Sequence, residues 1–376
     1  MNTVQQLHQA GQSIWYDNIQ RGLLANGDLA AMVAREEIRG VTSNPTIFMN
    51  AMTKTRDYDA GLTPLAQAGR SADEIFWQLA VEDIVDTADL LHPLYQQTGG
   101  GDGYVSLEVS PYLAHDTATT LSEARRLWKL VDKPNLMIKI PATLAGLPAI
   151  AAAIADGINV NVTLIFSRER YAEVMDAYIQ GIEQRVAAGL PVDRVASVAS
   201  FFVSRVDTKI DGLLAAMIDR EGKHAEGAAR MSGKAAIANA KLAYADYKAV
   251  FGAARFQRLQ AHGARVQRPL WASTGTKNPK YSDVMYVDEL IGPDTVNTVP
   301  PQTLAALLDH GVVRPGTLEE DLPAAEKVIT DLESLGILMR VITQELEQEG
   351  VKSFMDSFAE VIERVDERRR AIVTAA

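Results

Sequence analysis

The chain holds 376 residues, 47% hydrophobic and 23% charged, with 48 acidic against 37 basic side chains and no cysteine. This is the composition of an ordinary globular protein, and it excludes disulfides, a thiol nucleophile and any thiolate metal site. A net charge of −11 has the wrong sign for nucleic acid, which needs a basic face, although a few local cations can still hold a small anion inside a cleft.

The opening stretch MNTVQQLHQAGQS lacks the basic region and apolar run of a secretory signal. No window supplies the roughly 18 uncharged apolar residues of a membrane helix; the richest, TLAGLPAIAAAIADG, is short and alanine-rich. A cytoplasmic protein with neither membrane nor nucleic-acid partners is expected.

In chain order, the first strand-like run is SIWYD (13–17), followed by the helical LLANGDLAAMVAREEI. GVTSNPT (40–46) is the second. Ser71 and Glu74 then form the S-x-x-E capping box of a long amphipathic helix. The third strand, YVSLEVS (104–110), precedes the helix TATTLSEARRLWKLV, and the fourth, NLMIKIPA, precedes an alanine-rich helix ending near Gly157. The fifth, NVNVTLIF (159–166), leads to a helix capped by Ser167 and stopped at AAGLP. VASVASFFV (195–203) is the sixth, followed by a helical insertion over about 206–265. RPLWAST (268–274) and DTVNTVP (294–300) are the seventh and eighth, and helices close the chain.

Eight strands alternating with helices is the sequence form of a single (β/α)8 TIM barrel, here with helical insertions and a helical C-terminal segment. An open doubly wound sheet is the alternative that the pattern alone allows. No repeat, low-complexity tract or linker divides the chain.

A parallel barrel covers its strands with helices outside, so polar alternate residues belong to the interior. On strand five Asn159, Asn161 and Thr163 share that face, with Val160, Val162 and Leu164 opposite. On strand three Ser106, Glu108 and Ser110 share it. Strand four places Lys139 opposite Ile138 and Ile140, strand one ends in Asp17, and strand two carries Asn44. An amine, a carboxylate, amides and a hydroxyl thus converge; the lesser alternative for Glu108 is a plain ion-pair partner of Lys139.

A solvated lysine has a pKa near 10.4, so about one in a few thousand is neutral at pH 7. Only the neutral amine attacks a carbonyl. Burial penalises the cation by up to about 3–5 units, and a fall to about 7 represents roughly 4–5 kcal/mol. Such an amine forms a Schiff base, an electron sink for making or breaking a neighbouring carbon–carbon bond. The histidines (His8, His92, His115, His224, His262, His310) show no ligand spacing, so no metal and no cofactor are expected. TGGGDGY (98–104) precedes a strand and reads as a turn, not a dinucleotide cradle.

GVTSNPTIF, SLEVSPYLAHDT, LMIKIPAT, GINVNVTLIFS and SFFVSRVD, in that order, resemble the transaldolase family, and WASTGTKNPKYSDVMYVDELIGPDTVNT resembles its longer bacterial branch. The resemblance runs from about residue 13 to the C-terminus. It implies transfer of a dihydroxyacetone unit from sedoheptulose 7-phosphate to glyceraldehyde 3-phosphate, giving erythrose 4-phosphate and fructose 6-phosphate, in the non-oxidative pentose phosphate pathway. It implies that Lys139 is the Schiff-base lysine and Asp17 the proton carrier in carbon–carbon cleavage. Glu108 and Thr163 would position a water, Asn44 and Asn161 would hold substrate hydroxyls, and Ser200, Phe202, Arg205 and Ser273 would complete the substrate site. Where the short branch has a second phosphate arginine after strand seven, Ser273 is followed by Thr274 and Gly275, leaving Lys277 or another residue for that role. Two further readings stay open: a Schiff-base fructose 6-phosphate aldolase that releases the three-carbon unit, and a catalytically silent sugar-phosphate-binding barrel. The oligomeric state is undetermined, a homo-oligomer being allowed.

Overall fold

In the computed structural model, which describes residues 1–220 and 224–375, eight parallel strands pair in chain order and close on themselves. They are β1 (Gln12–Tyr16), β2 (Gly40–Val41), β3 (Tyr104–Glu108), β4 (Leu136–Pro141), β5 (Val160–Ile165), β6 (Ser197–Phe202), β7 (Arg268–Ala272) and β8 (Thr295–Val299). The doubly wound alternative is thereby ruled out. Helices follow the strands and bury their outer faces, so nearly every strand residue is buried.

Register explains why polar residues gather inside. Glu108 pairs with Lys139, and Lys139 with Asn161, so the three side chains share a level on the inner surface. Near the floor of the barrel Trp15 fills the interior. Gly40 makes room for it, since a Cβ there would lie 2.7 Å from the indole.

The glycine-rich turn before β3 has a use that its composition did not reveal. It delivers the buried Asp102, which accepts from Ser13 Oγ (2.7 Å), Trp15 Nε1 (3.0 Å) and Arg39 Nε (2.8 Å) and lies 3.3 Å from Arg268 Nη1. The two guanidiniums outweigh the desolvation and hold its carboxyl below the usual range. This network ties the N-terminal ends of β1, β2 and β7, at the end of a barrel where stability is usually decided.

Two expectations need correction. The second strand is only two residues long, because Asn44 caps a helix, Pro45–Lys54, that begins with proline. Leu164 does not continue the outward face of β5. It has φ +61, and the register with β6 slips between Val162 and Ile165, so one extra residue sits opposite β6 as a bulge. The alternation flips beyond it, and the Phe166 ring meets Phe202, 5.1 Å between centroids. The stretch over 206–265 is helical as expected and holds several helices, Ser204–Asp219, Ala225–Met231, Ala235–Gly252 and Ala254–Gln260. The third packs against Arg168–Ala187 and Leu322–Ser334 as part of the outer layer; residues 221–223 lie outside the described residues.

The last helix, Met339–Ala375, runs over the barrel mouth. Its buried stripe includes Val351, Phe354, Phe358, Val361 and Val365. Ser357 hydrogen-bonds Thr46 (2.8 Å), and Arg368 donates to the Thr53 and Thr55 carbonyls.

Candidate active site

The site grows from β4. Alternation turns Lys139 inward, where its side chain is 5% exposed and Nζ lies 3.3 Å from Glu108 Oε2. Nζ also donates to the Ser43 carbonyl at 3.1 Å. Burial drives the Glu108 carboxyl up to about 7, with Lys139 pulling the other way and winning only part of the difference. A carboxyl poised there can both give and take a proton at neutral pH. Neither of its oxygens has a well-formed hydrogen bond, and Thr163 Oγ1 is likewise buried without a partner. Buried oxygens of this kind call for an explanation, a catalytic role or a bound water among them. By register Thr163 stands opposite Pro141, two residues beyond Lys139 toward the mouth.

Asp17 follows β1, its amide fixed to Val299 O (2.9 Å). Its carboxylate accepts from Thr42 Oγ1 at 2.7 Å, and Thr42 in turn hydrogen-bonds Thr298 at 2.6 Å. Burial raises its pKa, with Lys139 the largest opposing influence and Thr42, Lys277 and Arg205 smaller ones. Asp17 and Glu108 therefore both feel the charge of Lys139.

Asn161 is fixed at both ends of its amide, donating to Ser106 Oγ (3.0 Å) and accepting from Ser200 Oγ (2.7 Å). These bonds span the interior and set the amide plane. Asn44 uses its Oδ1 to cap Ile47 N at 2.9 Å, which leaves its amide N–H groups to be offered to a ligand.

Arg205 enters from the helix after β6. Its guanidinium lies 5.4 Å from the Phe202 ring centre and 6.0 Å from that of Phe354. Burial lowers its pKa; Asp17 and Glu349 act on it only through space. A largely buried guanidinium with no hydrogen-bonded carboxylate among the described residues has its fork available for an anion. Ser273, at φ +55, holds the end of β7 to the start of that helix: its Oγ is 3.0 Å from Ser204 Oγ and its carbonyl accepts from Ser204 N (3.1 Å). Lys277 is exposed in the loop that follows. Tyr281 and Tyr286 anchor this loop to Asp211 and Asp207, each at 2.7 Å.

The structure thus brings Lys139, Glu108, Asp17, Asn161, Ser200, Phe202 and Arg205 to one end of the barrel, with Thr163 in register beside them. Sequence reasoning missed Thr42, the Ser43 carbonyl and Phe354. Thr42 could have been found from its place two residues after Gly40 on the inward parity. Nothing local marks Phe354. A broad groove lined by Trp77, Val81, Leu113 and Arg126 lies in the outer helix layer and not at this site.

A closed parallel barrel that buries an amine on β4 3.3 Å from a carboxyl defines a Schiff-base-forming enzyme acting on a carbonyl substrate. The family model described as Transaldolase/Fructose-6-phosphate aldolase matches residues 14–365. The chain is 50% identical over 368 residues to a transaldolase of Thermobifida fusca, covering 98% of both chains. It is 49% identical to a transaldolase of Saccharopolyspora erythraea, again over 98% of each. With a transaldolase of Mycobacterium tuberculosis it shares 47%, over 98% of this chain and 97% of that one. This chain belongs to the transaldolase/fructose-6-phosphate aldolase family.

Proposed function

We propose that this enzyme is a transaldolase that carries a dihydroxyacetone unit between sugar phosphates as an adduct of Lys139. The Lys139 Nζ attacks the ketose carbonyl at C2. The carbinolamine loses its hydroxyl as water, taking a proton from Glu108, and leaves an iminium. Asp17 then accepts the proton of the C4 hydroxyl, the C3–C4 bond breaks into the iminium, and an aldehyde departs. The enamine left on Nζ attacks the incoming aldehyde, whose oxygen takes the proton back, and hydrolysis restores the amine. In this reading Thr163 helps Glu108 hold the water, and Asn44, Asn161 and Ser200 orient substrate hydroxyls. Arg205 binds the phosphate, with Lys277 as a second cation near it.

The observation that carries the reading is the buried Lys139 amine 3.3 Å from a carboxyl that titrates at about 7. The 47–50% identical relatives support transfer over simple cleavage, whereas the description of the family model includes both. No described helix is long and apolar enough to cross a membrane, and a cytoplasmic location is part of the same proposal.

The test is borohydride reduction in the presence of fructose 6-phosphate, followed by intact and peptide mass spectrometry. One reduced three-carbon adduct on Lys139, absent in Lys139→Met, is expected. An adduct elsewhere, or none, would remove Lys139 from the mechanism.

A further inference from the structure

Phe354 lies more than 200 residues from Lys139 in sequence, yet the Lys139 Nζ is 5.8 Å from its ring centre and the Arg205 guanidinium 6.0 Å. The ring is 2% exposed. It therefore lies near both the amine and the guanidinium, and the Phe202 ring flanks the same guanidinium at 5.4 Å. Gly350, one helical turn earlier and so on the same face, sets how closely the helix approaches. A Cβ there would come 2.9 Å from Leu164 Cδ2 and 3.6 Å from the Phe166 ring. The bulge on β5 and the glycine on the last helix thus fit each other, and together they seat Phe354 over the amine. Flanking ion pairs from Lys209 to Glu345 and Glu349 and from Arg170 to Glu347 hold this part of the helix down.

Resting on the Schiff-base reading above, we propose that Phe354 is a positioning residue that keeps bulk water and stray protons off the nucleophilic carbon of the three-carbon enamine on Lys139, and so favours transfer over release. The enamine has two fates. Its nucleophilic carbon can attack an aldehyde, forming a carbon–carbon bond. Alternatively that carbon takes a proton, the resulting iminium takes water, and dihydroxyacetone leaves with the amine restored. The second course is committed by one proton at carbon, and an apolar ring above the amine hinders that step by keeping bulk water, the proton's carrier, away from the carbon. The same ring leaves the approach along Phe202 and Arg205 to a phosphorylated aldehyde.

The measurement is a ratio: dihydroxyacetone released against sugar phosphate formed by transfer, from fructose 6-phosphate with erythrose 4-phosphate as acceptor. Both products come from one intermediate, so the ratio is independent of how much of a variant is folded. Phe354→Ala should raise the released share about tenfold or more, whereas Phe354→Leu, which keeps apolar bulk, should stay within about threefold of the wild type. If Phe354→Ala does not fold, a wild-type-like ratio in Phe354→Leu together with a raised one in Phe354→Ser upholds the proposal. Turnover that falls in Phe354→Ala or Phe354→Ser with an unchanged ratio overturns it and leaves the ring a packing residue. Failure of the wild type to form an adduct on Lys139 would instead defeat the Schiff-base reading, and this one with it.

Discussion

Glu108 makes the enzyme less stable as its carboxyl ionises, and Glu108→Gln should expose this. Its pKa is raised from 4.5 to about 7, chiefly by burial. The folded state therefore binds this proton more tightly than the unfolded chain does. The resulting stability is complete below the unfolded value and is lost as pH rises through about 7. Between about pH 5.5 and pH 8 the loss is about 2 kcal/mol. Asp207, raised to about 6 by burial, contributes in the same direction, but it is common to both proteins and cancels in a comparison. Urea unfolding of the wild type and of Glu108→Gln at both pH values gives the double difference. The wild type should lose about 2 kcal/mol more than the variant on going to the higher pH, while kcat of the variant falls by about 100-fold or more. A double difference near zero, or of opposite sign, would mean that Glu108 is ionised in the fold at both pH values and is merely an ion-pair partner of Lys139.

Two further substitutions separate the ends of the barrel. Asp102→Asn leaves Arg39 and Arg268 facing each other without a counter-charge and should destabilise the fold by about 3–5 kcal/mol. Because the network lies at the opposite end, kcat per folded molecule should hold, and chemical unfolding with active-site titration checks both. Arg205→Ala should raise KM for fructose 6-phosphate by about 10- to 100-fold, from loss of a charge-assisted contact. Turnover of unphosphorylated fructose should stay nearly constant; an equal loss for both sugars would place Arg205 in the chemistry and not at the phosphate.

Much of the fold was legible because its signals are local. The Ser71–Glu74 box, the Ser167 cap and the inward alternation of Ser106, Glu108, Asn159 and Asn161 are properties of a few neighbouring residues, and the structure places them as read. The lysine between isoleucines is likewise explained locally, since a period of two turns it inward while Ile138 and Ile140 face the helices. The same rule failed at Leu164. A bulge arises from how β5 registers with β6 and from what must be met above it, and neither is encoded in the alternation of β5 itself.

The sequence by itself determined the alternation of strands with helices, the polar lining of β3 to β5, and the presence of an amine among carboxyls. Only the tertiary structure decided that Glu108 titrates near 7, that Asp102 joins Arg39 and Arg268, and that Phe354 covers Lys139. The reason is physical. Side-chain direction follows from period and backbone geometry over a few residues, whereas desolvation and contact depend on which distant segments complete the enclosure, and here the last helix closes over residues fixed some 200 positions earlier.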